Sequence, residues 1–111
     1  MSLRVVYTDD FPVDVAMQVR WYTRQRDEAL ALEYARAVEA TLEFLAEHPQ
    51  IGTQCRYSEP ELAGLRFYLV EKPFHRHLIY YRVFGEELIA FRVVAGDRDL
   101  PRRLLDPPGA E

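Results

Sequence analysis

The stretch HLIYYRVFGEELIAFRVVAG, residues 77–96, decides the fold. Two apolar runs, His77–Phe84 and Glu87–Ala95, flank the short Gly85-Glu86 pair, and both are rich in the β-branched and aromatic residues that strands favour. Two such runs joined by a short glycine-containing turn predict a β-hairpin. Both faces of the first strand are largely apolar, so we expect one face to cover helices and the other to meet a partner, most simply another chain.

Outside the hairpin, the sequence predicts two further strands and a first helix. Residues 65–71 and 3–8 are short, β-prone runs. Val15, Val19 and Tyr22 recur at i, i+4 and i+7, which predicts an amphipathic helix over residues 12–25. Polar residues at 8–10, followed by a proline at position 12, are a typical helix start.

A second, longer helix follows. Asp27 is predicted to be its N-cap, and the helix is expected to end before His48-Pro49, because the residue before a proline avoids the α conformation. Residues 49–64 are predicted to be a loop, punctuated by glycine and proline. The apolar stripe that would face the core consists of Ala31, Ala35, Val38, Leu42 and Leu45.

The element order β-α-α-β-β-β predicts an α+β fold, with a helical hairpin packed on one face of a small, mainly antiparallel sheet. A length of 111 residues indicates one domain, 1–111. The single cysteine excludes an internal disulfide and fits the cytoplasm. The chain shows no signal-peptide pattern at its start, and no apolar run approaches the roughly 20 residues of a membrane-spanning helix. We therefore expect a cytoplasmic protein with no membrane segment.

Charge is unevenly spread along the chain. The net charge of −4 argues against a protein that binds nucleic acid through many phosphates. Residues 1–50 carry five arginines and nine acids, whereas residues 51–111 carry nine basic and nine acidic residues. Arginine suits bidentate contacts with carboxylate or phosphate. The second half therefore either binds an anionic partner or carries ordinary surface arginines.

Histidine and cysteine give no recognisable active-site pattern. His75 and His77 would lie on one face of a strand, but no further residue completes a zinc site. Cys55 has no base placed beside it by any known motif. The sequence therefore predicts neither a metal nor another cofactor.

The remaining candidates are arginines within or beside strands. Arg66, Arg82 and Arg92 interrupt apolar runs, and such a charge must reach solvent, a partner or an ion pair. If several of them converge on one sheet face, they could hold a phosphodiester during cleavage or bind an acidic partner.

The segment after the last strand supplies the strongest candidate. Gly96 is predicted to let the chain leave the strand in a conformation that other residues resist. Asp99 is predicted to cap a short terminal turn that has Pro101 among its first residues. Arg98 has no such structural role. We therefore predict that it contacts the target, with electrostatic support from Arg102 and Arg103.

Taken together, the chain resembles the RelE/ParE toxins of type II toxin–antitoxin systems, also called plasmid stabilisation proteins. The resemblance covers nearly the whole chain and depends on the order and spacing of several short motifs. These are Arg20-Trp21-Tyr22, the helix 35–45 leading into His48-Pro49-x-x-Gly52, Leu65-Arg66, Pro73-Phe74, His77-Leu78-Ile79-Tyr80-Tyr81-Arg82 and Arg92-Val93-Val94-x-Gly96-x-Arg98-Asp99-Leu100.

The resemblance implies a small toxin that is neutralised by a cognate antitoxin encoded beside it. The C-terminal segment of that antitoxin would wrap the helices and the sheet of the toxin, in a toxin–antitoxin hetero-oligomer. Folding of a disordered partner on binding suits an exposed apolar surface.

Two activities compete within this family. RelE-like members are metal-independent endoribonucleases that cut mRNA in the ribosome, and in that case Arg66, His77 and Arg98 would be the catalytic residues. The sequence departs from that pattern, because His77 replaces an arginine, Leu104 replaces a tyrosine, and a pair of lysines is absent. ParE-like members inhibit DNA gyrase and are not nucleases. Their common His-Gly-x-Arg-Asp pattern is also altered, since Ala95 replaces the histidine.

We therefore favour a ParE-like toxin that inhibits DNA gyrase and is not an enzyme. The alternatives are a RelE-like mRNA endonuclease and an inactive toxin that only binds its antitoxin. The predicted target-binding residues are Arg66, His77, Arg98, Arg102 and Arg103.

Overall fold

In the computed structural model, which describes residues 2–96 and 101–109, two long helices pack on one face of a five-stranded sheet. The elements in chain order are β1 (Arg4–Tyr7), α1 (Asp10–Gln25), α2 (Glu28–Glu47), β2 (Thr53–Gln54), a single 3₁₀ turn (Pro60–Leu62), β3 (Arg66–Leu69), β4 (His77–Phe84), β5 (Glu87–Ala95) and α3 (Arg102–Leu105). No helix in the described ranges is both long and apolar enough to cross a membrane.

The predicted α+β class, the order of the main elements and the central hairpin are confirmed. The strands lie in the order β1-β5-β4-β3-β2, and all pairs are antiparallel except β1 with β5. Gly85 allows the tight β4–β5 turn with its φ of 61°. The register shifts by one residue between Tyr80 and Tyr81, so that Phe91 forms a bulge in β5.

Both predicted helices form. The Asp27 carboxylate accepts a hydrogen bond of 2.7 Å from the backbone N–H of Leu30, so the predicted N-cap of α2 is confirmed. Helix α1 begins at Asp10, two residues earlier than expected. Of the predicted α2 stripe, four members are buried and Ala35 is half-buried; the buried ones are Ala31, Val38, Leu42 and Leu45.

The segment after α2 is held by Tyr81 and Arg66. The hydroxyl of Tyr81 accepts a hydrogen bond from the Gly52 N–H (3.0 Å) and donates one to the Pro49 carbonyl (2.8 Å). Nη1 of Arg66 donates to the carbonyls of Gln50 and Gly52, at 3.2 and 2.8 Å. The prediction of an irregular loop over 49–64 is wrong in part, since this segment contains β2 and the 3₁₀ turn, both too short to leave a periodic pattern.

The second apolar face of β4 is covered by the chain itself, which corrects the prediction of a partner chain there. Tyr80 packs in a second core, whose buried members are Leu62, Leu65, Tyr80, Val94 and Leu104. Arg82 holds the segment around Leu62 over this core, because its guanidinium donates to the carbonyls of Ala63 and Glu61, both at 2.7 Å. The same guanidinium lies 5.2 Å from the centre of the Phe91 ring.

Gly96 has a different role from the predicted one. It is not among the glycines with positive φ. Instead, a Cβ at this position would lie 3.1 Å from a methyl carbon of Leu78, so the glycine lets the Leu78 side chain pack closely against the backbone after β5. The predicted cap Asp99 lies outside the described residues, and the short helix α3 begins after Pro101.

Candidate functional site

A cleft opens between α1, the paired ends of β4 and β5, and the C-terminal segment, with a volume of about 280 Å³. Its walls carry both charged and apolar side chains. They are formed by Asp14, Met17, Gln18, Trp21, Tyr34, His77, Arg92, Val93, Val94, Ala95, Arg103, Asp106, Pro107 and Gly109.

A buried ion pair forms one side of the cleft. Strand β1 ends opposite Ala90, so beyond that residue the edge of β5 that faces away from β4 has no strand neighbour. Asp14 of α1 takes that place, because its carboxylate accepts the N–H of Val93 (3.1 Å) and two hydrogen bonds from Arg92, at 2.7 and 2.9 Å. Both side chains are over nine-tenths buried. Burial disfavours the charge on Arg92, but the hydrogen bonds and charge of Asp14 outweigh it and raise the pKa of the guanidinium.

Arg92 also holds the C-terminal segment. Its Nη1 donates to the carbonyls of Leu104 (3.2 Å) and Asp106 (2.5 Å), and more weakly to that of Arg103 (3.4 Å). These groups lie at the end of α3, where helix carbonyls lack partners within the helix. The same guanidinium thus joins α1, β5 and α3, and it places Arg103 at the cleft.

His77 forms part of the floor. Its ring lies 5.2 Å from that of buried Tyr34, edge to face. Its Nδ1 is buried and has no hydrogen-bond partner in the described part of the chain. Burial lowers the pKa of His77, and the positive charges of Arg103 and Arg76 lower it further. The imidazole is therefore neutral at pH 7. Burial raises the pKa of the Tyr34 phenol, which also stays uncharged.

The rim on the α1 side is apolar and open to solvent. Trp21 and Met17 are 52% and 41% exposed. Gly109, with a φ of 84°, brings the C-terminal segment against Met17, since a Cβ there would lie 3.1 Å from its terminal methyl group. Large exposed side chains beside a cleft are typical of a binding surface.

A second, apolar groove runs between α1 and α2, on the side of the molecule where β1 ends. Its volume is about 390 Å³. It is lined by Tyr7, Phe11, Pro12, Val15, Ala16, Ala35, Val38, Glu39 and Leu42. Within residues 2–96 and 101–109, no group of three or more histidine, cysteine or acidic side chains is arranged to bind a metal.

Comparison with known proteins gives the family. The sequence model of the ParE toxin of type II toxin–antitoxin systems, parDE, matches residues 5–100. The chain belongs to the ParE toxin family. This ParE-family toxin thus carries its family signature from the second residue of β1 to beyond the end of β5.

A solved structure described as the chromosomal ParDE toxin–antitoxin system from P. aeruginosa has the same fold. It superposes with a TM-score of 0.70 at 17% identity, over 86% of the ParE-family toxin and 98% of the other chain. A search of curated proteins gave no significant match.

The structure brings together two of the predicted target-binding residues of this ParE-family toxin. His77 and Arg103 both line the cleft, although they are 26 residues apart in the sequence. Arg102 is exposed beside them, with its Nε 3.8 Å from a carboxylate oxygen of Asp106. Arg98 lies outside the described residues.

Arg66 is not near this cleft. It pairs with Tyr81 in the middle of β4, whereas His77 is the first residue of that strand, about 13 Å from Tyr81 at 3.3 Å per residue. Leu104, at the position where RelE-like nucleases would have a tyrosine, is buried in the second core. The structure therefore does not assemble Arg66, His77 and position 104 into one constellation.

Asp14 is the residue at the cleft that the sequence reasoning missed. It lies three residues after Phe11 and next to Val15, and so on the flank of the α1 stripe that packs against the core. An acid in that position, together with an arginine inside an apolar strand, was the available signal for a buried ion pair.

Proposed function

We propose that this ParE-family toxin inhibits DNA gyrase and that a cognate antitoxin neutralises it. The observation that carries the proposal is the family match over residues 5–100. Apart from Arg4 of β1, it includes every described element except α3, so the whole helical hairpin and nearly all of the sheet belong to the toxin fold.

The groove between α1 and α2 supports the antitoxin part of the proposal. Its walls are mostly apolar and lie at the surface. An apolar groove between two helices suits the apolar face of a partner helix, and burial of that face drives such complexes. We assign this groove to the antitoxin.

The cleft supports the target part. Arg103 and His77 line it, and Arg102 is exposed next to it. We propose that these residues contact gyrase together with Arg98, which belongs to the segment between β5 and α3. Arg66, on β3 opposite Tyr81 in the middle of β4, stays a predicted target-binding residue.

The chemistry of the cleft favours binding over RNA cleavage. General acid–base catalysis needs groups that can exchange a proton near pH 7. Asp14 is fully engaged with Arg92, and the phenol of Tyr34 has a raised pKa. Position 104, where a RelE-like mechanism would place a tyrosine to act with His77, is occupied by Leu104, which cannot transfer a proton. These features support the gyrase-inhibiting, ParE-like reading over the nuclease.

A supercoiling assay tests the proposal. Purified toxin added to gyrase at micromolar concentration should reduce supercoiling of relaxed plasmid, and prior addition of the antitoxin should restore it. Unchanged supercoiling would refute the gyrase target. Mapping of transcript ends after toxin expression, in parallel, should reveal no new cleavage sites.

A further inference from the structure

We propose that the apolar groove between α1 and α2 binds an amphipathic helix of a protein partner, and that Glu39 selects a helix with lysine or arginine beside its apolar face. This inference rests on the proposed function to the extent that the partner is the antitoxin. It deepens that assignment by stating the chemistry of the bound segment and by naming the toxin residue that discriminates between segments.

The walls of the groove favour a helical occupant. Its floor includes the buried side chains of Phe11, Val38 and Leu42, and both long walls are helices. An extended segment binds best by pairing with a strand edge, which helical walls do not offer, whereas a helix satisfies its own backbone. Ala16 and Ala35 line the two walls, and their small side chains let a third helix approach closely.

Glu39 is the one charged residue among the residues that line the groove. Its side chain is exposed, and within residues 2–96 and 101–109 it makes no hydrogen bond or ion pair. Arg36 lies one turn earlier in α2 and is also exposed, but the two side chains are not paired. The Glu39 carboxylate is therefore available to a cationic side chain of the occupant.

The surroundings of Glu39 strengthen this preference. Residues 9–19 and 37–47, which form this half of the helical hairpin, contain six acidic residues and no basic one. Of the six, Asp14 is neutralised inside the protein by Arg92, and the others add to the field of Glu39. A side chain that approaches this wall thus meets a negative potential, which attracts lysine and arginine and repels aspartate and glutamate.

The same charge argues against a second copy of the toxin in the groove. Pairing of two grooves face to face would bring Glu39 of each copy towards the acidic half of the other hairpin, and like charges repel more strongly as water is excluded. A basic helix buries the same apolar floor without this repulsion.

Model helices test the charge preference. Purified full-length toxin is titrated by calorimetry with three peptides of about 18 residues, or five helical turns. They share one Leu/Ala face and carry Lys, Gln or Glu at the positions that flank it, and circular dichroism checks that their helicity is equal. We expect the Lys peptide to bind about five-fold more tightly than the Gln peptide, and the Glu peptide to bind least. Equal binding of the three, or tightest binding of the Glu peptide, would overturn the proposal.

Two matched variants test whether Glu39 is the discriminating residue. Glu39→Gln keeps the shape of the side chain and should bind the Lys and Gln peptides about equally. Glu33→Gln makes the same change at an exposed acid of α2 that does not line the groove, and it should retain the preference. Both positions are exposed, so both variants should fold, which a thermal melt checks. An equal loss of preference in the two variants would refute the role of Glu39.

A third variant tests the location. Ala16→Trp fills the groove from the α1 side and should abolish binding of all three peptides. Undiminished binding of the Lys peptide to this variant would mean that the peptide binds elsewhere. Sedimentation of the toxin alone should show a monomer, and a dimer that Ala16→Trp dissociates would assign the groove to a second copy and overturn the proposal.

The supercoiling assay and the peptide titrations can fail independently. If the wild-type toxin leaves gyrase unaffected but prefers the Lys peptide through Glu39, the gyrase target is wrong and the basic-helix inference stands. If the toxin inhibits gyrase and its antitoxin restores supercoiling, but the peptides bind without a charge preference, the proposed function stands and this inference fails.

Discussion

At the scale of single residues, the hydroxyl of Tyr81 fixes the segment that follows α2. It exchanges two hydrogen bonds with Pro49 and Gly52, while its ring is fully buried in the main core. The close approach leaves no space for a side chain at position 52, where a Cβ would lie 2.4 Å from the hydroxyl oxygen. Close packing against Tyr81 therefore explains the glycine of the His-Pro-x-x-Gly motif.

We predict that Gly52→Ala destabilises the fold by about 1–3 kcal/mol, the usual cost of overpacking a rigid site. Urea unfolding measures this loss. Tyr81→Phe should also destabilise, by about 1–3 kcal/mol, because the Gly52 N–H and the Pro49 carbonyl lose their partner. The double variant should lose less than the sum of the two. Strict additivity would show that residues 52 and 81 do not act on each other.

His77 gives a pH dependence to the stability. Burial, Arg103 and Arg76 lower its pKa from the ordinary value of 6.5. In the window between the lowered pKa and 6.5, the unfolded chain binds more protons than the folded one. The stability contributed by neutral His77 is therefore complete above pH 6.5 and is lost as the pH falls through the folded-state pKa.

We predict that unfolding free energies, measured by urea between pH 5 and 8, fall more steeply towards acid in the wild type than in His77→Phe. Phenylalanine keeps an aromatic ring against Tyr34 and does not titrate. His48 and His75 are present in both proteins and cancel in the comparison. Parallel pH curves for the two proteins would contradict this origin of the pH dependence.

At the scale of elements, α2 shows how local sequence and packing agree. Its N-terminus is capped by Asp27, whose carboxylate accepts a hydrogen bond from the N–H of Leu30. The predicted apolar stripe forms its core face. Alanines along the helix raise its intrinsic propensity and permit close approach of α1. Helix α1 is different, because Phe11 is its only fully buried apolar residue, while Val13, Met17 and Trp21 are exposed.

We predict that Asp27→Ala lowers the unfolding free energy by about 1 kcal/mol, the typical cost of removing an N-cap. Asp27→Asn should retain most of the stability, because its side-chain oxygen can accept the same hydrogen bond. Chemical denaturation of both variants provides the test. An equal loss in the Asn variant would point to the charge of Asp27, not to the hydrogen bond.

At the scale of the whole molecule, the Asp14–Arg92 pair ties together three parts of the chain. It connects residues 78 positions apart, and Arg92 then reaches the carbonyls at the end of α3. Without this pair, neither the β5 edge beyond the end of β1 nor the C-terminal segment would have its present partners. The cleft exists because these three parts meet there.

We predict that Asp14→Ala costs about 3–5 kcal/mol, since it leaves the Arg92 charge buried without its partner. The double variant Asp14→Leu/Arg92→Met should be less destabilised than Asp14→Ala, because no charge stays buried. Denaturant unfolding compares the two. A double variant that unfolds more easily than the single one would mean that the carbonyl contacts of Arg92 outweigh the ion pair.

By itself, the sequence determined the features that depend on residues close together in the chain. The β4–β5 hairpin, the Asp27 cap, the α2 stripe and the helix end before Pro49 all follow from backbone preferences and periodicity over a few residues, and the structure confirms them. The family resemblance had a similar basis, since it came from short motifs in a fixed order.

Only the tertiary structure decided the partners of the strand arginines and the position of the cleft. Arg66 and Arg82 bind loop carbonyls, and Arg92 binds Asp14. The second face of β4 is covered by residues 55–65 and α3. These contacts join distant segments, and a guanidinium can donate hydrogen bonds to a carbonyl, a carboxylate or water. The choice is therefore made by which groups the folded chain brings within reach, which no local pattern records.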